Sequence, residues 1–383
     1  MVFTFPVFGS LKYIIPKIMD EFGVEYVLPH QGEDTLRKGS RLSPEEMCLP
    51  FKYMLGGLVE AYECGADTVI MLSTIGPCRL GEYGELMSVV LDNAGYRYKW
   101  IMLDPPSETG LIELLRRINK ITSAGGYSGK VRVLGVVFKA LVLLYSFEKT
   151  ERHLLKKAGY LKAPQEAVRL MASLERDISG ADCIDDCRKA IRKIRKSSGL
   201  LKKSVDVAPV KVMVTGEIYT SVESSANMNI EKHLAAQGCS VIRCIDITWW
   251  MKQTLSHIAD SLITVRLFHR LKRKICSIEG IPCGIGGYGR ETVDMIVRSA
   301  GRVDGVIKMM PSGCMPEIVA KAYCENREGR DHVPVLNLIF DEMYGDAGYE
   351  TRIEAFTDML ERRKNVLAGN RHRLHKHRSC CDR

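Results

Sequence analysis

Apolar and polar positions alternate along most of this chain in a way that predicts short strands separated by helices. In the first part, apolar runs at 2–5, 24–28, 67–72 and 98–103 have the length of buried strands. Amphipathic stretches of helical length lie between most of them. This order favours a parallel sheet covered by helices.

One helix is predicted to begin at the Ser-Pro-Glu-Glu sequence of residues 43–46. The serine suits the N-cap, the proline suits the first helical position, and the second glutamate closes a capping box. The helix is expected to run past Cys48 to about Cys64, with a break or kink at Pro50.

The second half repeats this plan after a different middle segment. We predict an α/β protein with two doubly wound parallel-sheet (Rossmann-like) domains and a helical bridge. The predicted parts are an N-terminal α/β domain at 1–128, a mostly helical bridge at 129–205, a C-terminal α/β domain at 206–370 and a basic tail at 371–383. The strands expected in the C-terminal domain are 210–214, 240–245, 305–309 and 333–339.

Composition places the chain among soluble globular proteins. It has 383 residues, of which 46% are hydrophobic and 26% charged. No apolar run reaches the roughly 20 residues of a membrane helix. The first residues lack the basic start and small-residue cleavage site of a signal peptide, so a cytoplasmic location is expected, without a membrane partner.

The formal net charge of +9 raises the question of nucleic-acid binding. Much of the excess lies at 188–203 and 362–383, where aromatic residues do not alternate with basic ones. A solvated helix face and a solvated tail are the expected interpretation, and no nucleic-acid partner is predicted.

Cysteine usage is the most informative feature of the composition. Thirteen cysteines without a secretory signal indicate thiols or metal ligands rather than a disulfide framework, and suggest a reducing, oxygen-poor setting. Cys48, Cys78 and Cys314 each lie near a predicted strand-to-helix junction, where the helix start favours a thiolate. Loops at the carboxyl ends of parallel strands lie at one edge of the sheet, so one expectation is that these thiols jointly bind one iron–sulfur cluster. The alternative is that they are three separate core thiols.

Motifs around these cysteines and elsewhere in the chain form a recognisable set. They are Phe5-Pro6 with Gly9, 48–52, 65–68, 76–79 with Gly81, Tyr83 and Gly84, 216–219 with Asn227, 311–317, and 340–342 with 348 and 351–356. Through these motifs the chain resembles the 2-hydroxyacyl-CoA dehydratases, which include component D of 2-hydroxyglutaryl-CoA dehydratase and benzoyl-CoA reductase. It most resembles the branch called acyl-CoA dehydratase activase-related, or CoA-substrate-specific enzyme activase-related.

The resemblance implies a [4Fe–4S] cluster that is held by three cysteines, with one iron open to a fourth ligand. Cys48, Cys78 and Cys314 occupy the matching positions. It also implies a separate ATP-hydrolysing activator of the actin/Hsp70-like fold, which delivers one low-potential electron. The expected activity is dehydration or reduction of an acyl-CoA or another small substrate by a homo- or hetero-oligomer. The alternative is a non-catalytic electron carrier or assembly partner of the activator.

Two basic residues lie beside the matched cysteines. Lys52 follows Cys48 by four residues and Arg79 directly follows Cys78. Both are predicted to offset the negative charge of a reduced cluster and to raise its potential. The alternative is that they are ordinary surface cations.

The remaining cysteines and motifs have simpler interpretations. Cys183 and Cys187 are four residues apart, so they share one face of a helix. They are expected to be ordinary thiols. The alternative is that they bind zinc or a second cluster together with Cys380 and Cys381. Glu217 is expected to cap a helix or to form a hydrogen bond with a loop. The alternative is that it acts as a general acid or base. The glycine-rich stretch 284–289 is expected to be a turn rather than a dinucleotide site. The thiols predicted to be small core residues are Cys64, Cys239, Cys244, Cys276, Cys283 and Cys324.

Overall fold

Two parallel β-sheets organise the chain and confirm the predicted fold class. The computed structural model describes residues 1–72, 79–104, 109–126, 130–204, 208–262, 285–325, 333–342 and 346–381. In spatial order, the strands of the first sheet are β1 (Phe3–Thr4), β2 (Thr68–Leu72) and β3 (Lys99–Leu103). Those of the second sheet are β5 (Ser240–Arg243), β4 (Lys211–Gly216), β6 (Gly305–Pro311) and β7 (Val335–Phe340). Every pairing within them is parallel, as helix-connected strands require.

The first lobe is the three-stranded sheet with the helices around it. In register, Phe3 lies opposite Thr68, and Thr68 lies opposite Lys99. The predicted strand at 24–28 is wrong, because these residues make one isolated bridge between Phe3 and Tyr26. The elements are β1 (Phe3–Thr4), α1 (Leu11–Glu21), α2 (Glu33–Leu42), α3 (Leu49–Glu63), β2 (Thr68–Leu72), α4 (Tyr83–Asn93), β3 (Lys99–Leu103) and α5 (Leu111–Ala124).

The helix predicted to begin at Ser43 is wrong in its start. Ser43 instead ends α2, with an extended backbone of φ −70° and ψ 141°. A residue before proline is biased toward this conformation, so Pro44 ends the earlier helix rather than opening a new one. The new helix, α3, begins at Leu49, and Cys48 is its N-cap residue.

Helices α2 and α3 approach each other through two glycines. A Cβ atom at Gly39 would lie 1.7 Å from the carbonyl oxygen of Lys52. A Cβ atom at Gly56 would lie 1.8 Å from the carbonyl oxygen of Thr35. This backbone-to-backbone contact sets the position of α3 and therefore of Cys48.

Three helices form the bridge, in agreement with the mostly helical middle that the sequence predicts. The longest of them packs against both α1 and β5, so it contacts both lobes. Arg243 of β5 pairs with Glu151 of this helix at 2.8 Å and also with Glu231. The bridge helices are α6 (Lys130–Ala158), α7 (Gln165–Ser179) and α8 (Ile184–Leu200).

The second lobe is the four-stranded sheet with its helices. The central strand β6 is buried along its whole length. Gly216 has a φ of +140°, and a Cβ atom there would lie 1.8 Å from the carbonyl oxygen of Met309, so only glycine fits. The elements are β4 (Lys211–Gly216), α9 (Ile218–Val222), α10 (Ile230–Ala236), β5 (Ser240–Arg243), α11 (Ile247–Leu262), α12 (Gly289–Ser299), β6 (Gly305–Pro311), α13 (Met315–Glu325), β7 (Val335–Phe340) and α14 (Asp346–Cys381).

Helix length also bears on membranes. Across the described residues, no helix combines the length and the apolar character that crossing a bilayer requires.

Candidate functional site

Cys48 lies at the start of α3, but it follows α2 rather than the strand that the sequence predicted. It is half-buried, and its carbonyl oxygen accepts a hydrogen bond from the backbone N–H of Phe51 at 3.0 Å. Its sulfur is in hydrogen-bond contact with the hydroxyl of Tyr83. The Tyr83 side chain is buried against Phe51, edge to face, with ring centroids 5.1 Å apart. The Cys48 sulfur therefore has a helix N-terminus and a phenol beside it.

Cys314 lies between β6 and α13 in the second lobe. β6 ends at Pro311, the chain turns through Gly313 at φ +73°, and α13 begins at Met315. The carbonyl oxygen of Cys314 accepts the N–H of Ile318 at 2.9 Å, and the residue is 9% exposed. Its position at a sheet edge and at a helix start agrees with the sequence-based expectation.

The third matched cysteine, Cys78, lies outside the described residues. β2 ends at Leu72, at the carboxyl edge of the first sheet, and a short 3-10 turn begins at Arg79. The Arg79 side chain also lies outside the described part. Its predicted charge-offsetting role stays a prediction.

An ion pair between a buried lysine and an exposed glutamate joins the two cysteine-bearing regions. The Lys52 Nζ atom lies 2.7 Å from Glu342 Oε1. Lys52 is one helical turn beyond Cys48, and Glu342 lies just past the end of β7, the strand beside the one that leads to Cys314. The pair therefore brings the start of α3 to the carboxyl edge of the second sheet.

The environment of Lys52 corrects one interpretation of it. Only 4% of Lys52 is exposed, so it is not an ordinary surface cation. Burial alone raises the pKa of Glu342, but the hydrogen bond and the charge of Lys52 outweigh it and lower that pKa. Glu342 is therefore ionised at neutral pH, and its carboxylate already pairs with Lys52.

A cleft of about 950 Å³ opens beside this ion pair. Its walls include Glu342, α2 of the first lobe and the turn before α10 of the second. Two polar atoms in the wall, Ser40 Oγ and His233 Nε2, are buried without a hydrogen-bond partner among the described residues. Met228 and Asn229, also in the wall, have φ of 55° and 54°, a strained conformation typical of functional sites.

The helix that follows Cys314 is held in place by another ion pair, in which both side chains are buried. Lys308, in the middle of β6, is fully buried, and its Nζ atom lies 3.0 Å from Glu317 Oε2 of α13. It also donates to the carbonyl oxygen of Glu317 at 2.6 Å, while Thr292 Oγ1 donates to Glu317 Oε1 at 2.8 Å. Burial raises the pKa of Glu317, and the Lys308 charge partly opposes this. Sequence reasoning missed this pair because the strand reads as apolar.

Glu217 has the capping role that was expected of it. Its carboxylate accepts hydrogen bonds from the backbone N–H groups of Tyr219 at 2.9 Å and Thr220 at 2.8 Å, and from the Thr220 hydroxyl at 2.8 Å. Burial raises the pKa of Glu217, against the effect of these bonds, and the charge of Glu317 adds to the rise. The residue holds α9 at the end of β4.

Several other cysteines are buried thiols with little thiolate character. Cys187 and Cys239 are 0% and 3% exposed. Burial raises the pKa of Cys187 to about 11 and the pKa values of Cys239 and Cys244 to about 12. Cys239 and Cys244 thus pack in or against the core, as predicted.

Cys64 differs from the core prediction, whereas Cys324 is half-buried and packs against a small apolar cluster, as predicted. Cys64 is exposed, because it follows the last residue of α3 rather than facing the sheet. Cys183 donates to Asp186 at 3.2 Å. Within the described residues, no group of three or more Cys, His, Asp or Glu side chains could hold a metal ion. Cys78, Cys276 and Cys283 lie outside the described residues, as do the side chains of Cys380 and Cys381.

Comparison with known proteins adds no identification. No protein-family model matches this chain, and no curated protein matches it. The resemblance to 2-hydroxyacyl-CoA dehydratases therefore rests on the sequence motifs around Cys48, Cys78 and Cys314.

Proposed function

We propose that this chain is an iron–sulfur redox protein of the 2-hydroxyacyl-CoA dehydratase type. Cys48, Cys78 and Cys314 hold one [4Fe–4S] cluster and leave one iron open. The observation that carries the proposal is the ion pair between Lys52 and Glu342 at 2.7 Å, because it ties two cysteine-bearing edges to each other.

The two described ligands fit such a cluster by their chemistry. Both Cys48 and Cys314 precede the first turn of a helix, where unpaired N–H groups and the helix dipole favour a thiolate. One is half-buried and the other buried, so water is partly excluded from both sulfurs. When bound, the cluster supplies one-electron transfer at a low potential.

Neighbouring residues have positioning and tuning roles in this proposal. The hydroxyl of Tyr83 donates to the Cys48 thiolate. The Lys308–Glu317 pair fixes the start of α13 and thus the Cys314 sulfur. Lys52 and Arg79 offset the negative charge of the reduced cluster. Because Lys52 also pairs with Glu342, only part of its charge acts on the cluster.

The cleft beside Lys52 and Glu342 is the proposed place for the substrate. Its wall carries polar side chains such as Ser224, Ser225 and Asn229, which suit a small polar molecule or an acyl-CoA. A separate ATP-hydrolysing activator of the actin/Hsp70-like fold is the proposed electron donor. A cytoplasmic location and an oligomeric state belong to the same proposal.

Iron and sulfide analysis after anaerobic purification tests the cluster. We expect about four iron atoms per chain and an EPR signal after reduction. Cys48→Ser, Cys78→Ser and Cys314→Ser should each lose most of this iron. Cys64→Ser and Cys187→Ser are matched controls for an exposed and a buried thiol, and they should keep it. Retained iron in all three ligand variants would contradict the proposal.

The role of the cluster is tested with an activator ATPase from a dehydratase system. ATP-dependent reduction together with turnover of an acyl-CoA supports the enzyme. ATP-dependent reduction without turnover across an acyl-CoA panel indicates the electron carrier instead. No reduction by the activator contradicts the proposed partner.

A further inference from the structure

A stripe of apolar side chains runs along the outer side of α6, the longest bridge helix. Its six members are between 38% and 86% exposed, and they are Val131, Leu134, Phe138, Leu141, Val142 and Tyr145. The opposite side of the helix is fixed in the core, where Val136, Leu143 and Phe147 are buried. The stripe is therefore an exposed apolar surface on a firmly held helix.

The spacing of this stripe is that of a seam between paired helices. Its members at 131, 134, 138, 141 and 145 follow one another in steps of three, four, three and four residues. This is the a/d repeat of a coiled coil, in which each side chain fits into a hole of the facing helix. A helix face that packs on a globular core is wider than such a seam. The spacing therefore favours another α-helix as the occupant.

The stripe is also symmetric about Phe138. Leu134 and Val142 lie four residues before and after it. Val131 and Tyr145 lie seven residues before and after it. When two copies of one helix pair antiparallel across a two-fold axis, each position faces the mirror position of the other copy. The symmetry therefore indicates a second copy of this chain, because an unrelated helix would need no mirror pattern.

The pairs that this symmetry creates are compatible in size and in charge. Across the two-fold axis, the large ring of Tyr145 faces the small side chain of Val131. Two exposed cations, Arg132 and Lys139, lie beside the stripe. Arg132 faces a leucine and Lys139 faces a valine, so neither cation opposes another. Facing like charges, which would weaken a homodimer, are thus avoided.

The apolar area of the stripe is sufficient for a dimer. A large side chain such as Phe or Tyr buries roughly 150–250 Å². With somewhat less for Val and Leu, the six exposed fractions leave on the order of 600 Å² on one copy. Two copies together would bury on the order of 1,200 Å², and stable interfaces begin at roughly this size.

We propose that this chain forms a homodimer in which α6 of one copy pairs antiparallel with α6 of the other, with Phe138 on the two-fold axis. Burial of the two apolar stripes drives the association. The dimer gives a surface to the oligomeric state in the proposed function, but it does not depend on the cluster. Its tests measure association alone, so they can fail while the iron analysis succeeds, and the reverse.

Sedimentation equilibrium of the full chain measures this association. We expect a mass of two chains. Phe138→Asp should raise the dimer dissociation constant by about a hundredfold or more, because two carboxylates then meet on the axis. Val366→Asp is the matched control, since its side chain is 62% exposed on α14, and it should leave the dissociation constant unchanged. A mass of one chain, or a Phe138→Asp chain that dimerises as tightly as the unmodified one, overturns the proposal.

A pair of charge variants tests the antiparallel register and decides the matter if Phe138→Asp fails to fold. Leu134→Lys and Val142→Glu should each weaken the dimer by about tenfold or more, because each sets a charge against an apolar side chain. In the combined variant, the introduced amine of each copy faces the introduced carboxylate of the other. Association should then recover to within about threefold of the unmodified chain.

This recovery reports contacts between copies, because the two positions are eight residues apart on one helix and do not meet within it. Single variants that dimerise normally overturn the proposed surface. A combined variant that stays as weak as the single ones overturns the proposed pairing.

Discussion

The contact between Tyr83 and Cys48 gives the candidate site its most specific feature at the scale of single residues. A phenol that donates to a thiolate stabilises the negative charge on sulfur, and it does so more strongly when an added electron increases that charge. Hydrogen bonds to cluster sulfurs are one of the means by which proteins set a potential.

Tyr83→Phe should therefore lower the reduction potential of the cluster. Loss of about 1 kcal/mol from the reduced state corresponds to roughly −40 mV for a one-electron couple. Tyr98→Phe is the control, because its buried hydroxyl donates to the carbonyl oxygen of Leu58 at 2.6 Å, away from the cysteines. An EPR-monitored redox titration measures both variants, and an equal shift in the two would remove Tyr83 from the site.

Thiol reactivity should separate the described cysteines by burial. The pKa of Cys239 is raised to about 12, so at pH 8 only about one molecule in ten thousand carries this thiolate. Cys64 is exposed. Iodoacetamide should label Cys64 in the native chain and leave Cys187 and Cys239 unlabelled, as read by mass spectrometry of peptides. Labelling of Cys239 at the rate of Cys64 would show that the core opens readily.

At the scale of elements, the placement of α3 depends on its contact with α2. Sequence reasoning expected one helix from Ser43 to Cys64, whereas the chain ends α2 at Leu42 and starts α3 at Leu49. The local residues suit either a helix start or a helix end, and the glycine contact between the two helices is visible only in three dimensions.

Gly39→Ala tests this helix contact. The added methyl group meets the carbonyl oxygen of Lys52, so we expect the free energy of unfolding to fall by about 1–3 kcal/mol. Gly135→Ala is the matched control, because it lies within α6 with no atom within 4 Å of the added carbon. That variant should gain about 0.5–1 kcal/mol from helix propensity. Urea unfolding measures both, and an unchanged stability for Gly39→Ala would contradict the close approach.

At the scale of the whole molecule, the Lys52–Glu342 pair links the lobes and gives the fold a pH dependence. The pKa of Glu342 is lowered in the folded chain, because its bond and attraction to Lys52 outweigh the burial that raises it. A lowered carboxyl pKa contributes stability above the unfolded value of about 4.3, and this contribution is lost as the pH falls through the folded pKa.

Glu342→Gln should therefore lower stability at pH 7 and lose its effect in acid. We expect a cost of about 1 kcal/mol, since Glu342 keeps 38% of its side chain exposed and is screened by water. The difference from the unmodified chain should be constant above about pH 5 and shrink below about pH 4. Urea unfolding across this range measures it, with Glu325→Gln as the exposed control. A difference that grows in acid would contradict the sign of the pKa shift.

The fold was more predictable from the sequence than the site. Both sheets follow from apolar runs such as that of β6, and the helix-start position of Cys314 follows from its motif, whereas Cys48 was expected inside a helix that begins at Ser43. The buried Lys308 inside a strand and the contact of Lys52 with Glu342 could not be predicted, because they join residues that are distant in sequence. Their energetics depend on burial, which local patterns do not report.

A crystal structure of the anaerobically purified chain, with anomalous data collected at the iron edge, tests the central claim most directly. The account predicts one compact iron peak that is bonded to the sulfur atoms of Cys48, Cys78 and Cys314, beside the Lys52–Glu342 pair. An iron peak at other cysteines, or iron-loaded crystals in which these three sulfurs bind no common centre, would contradict it.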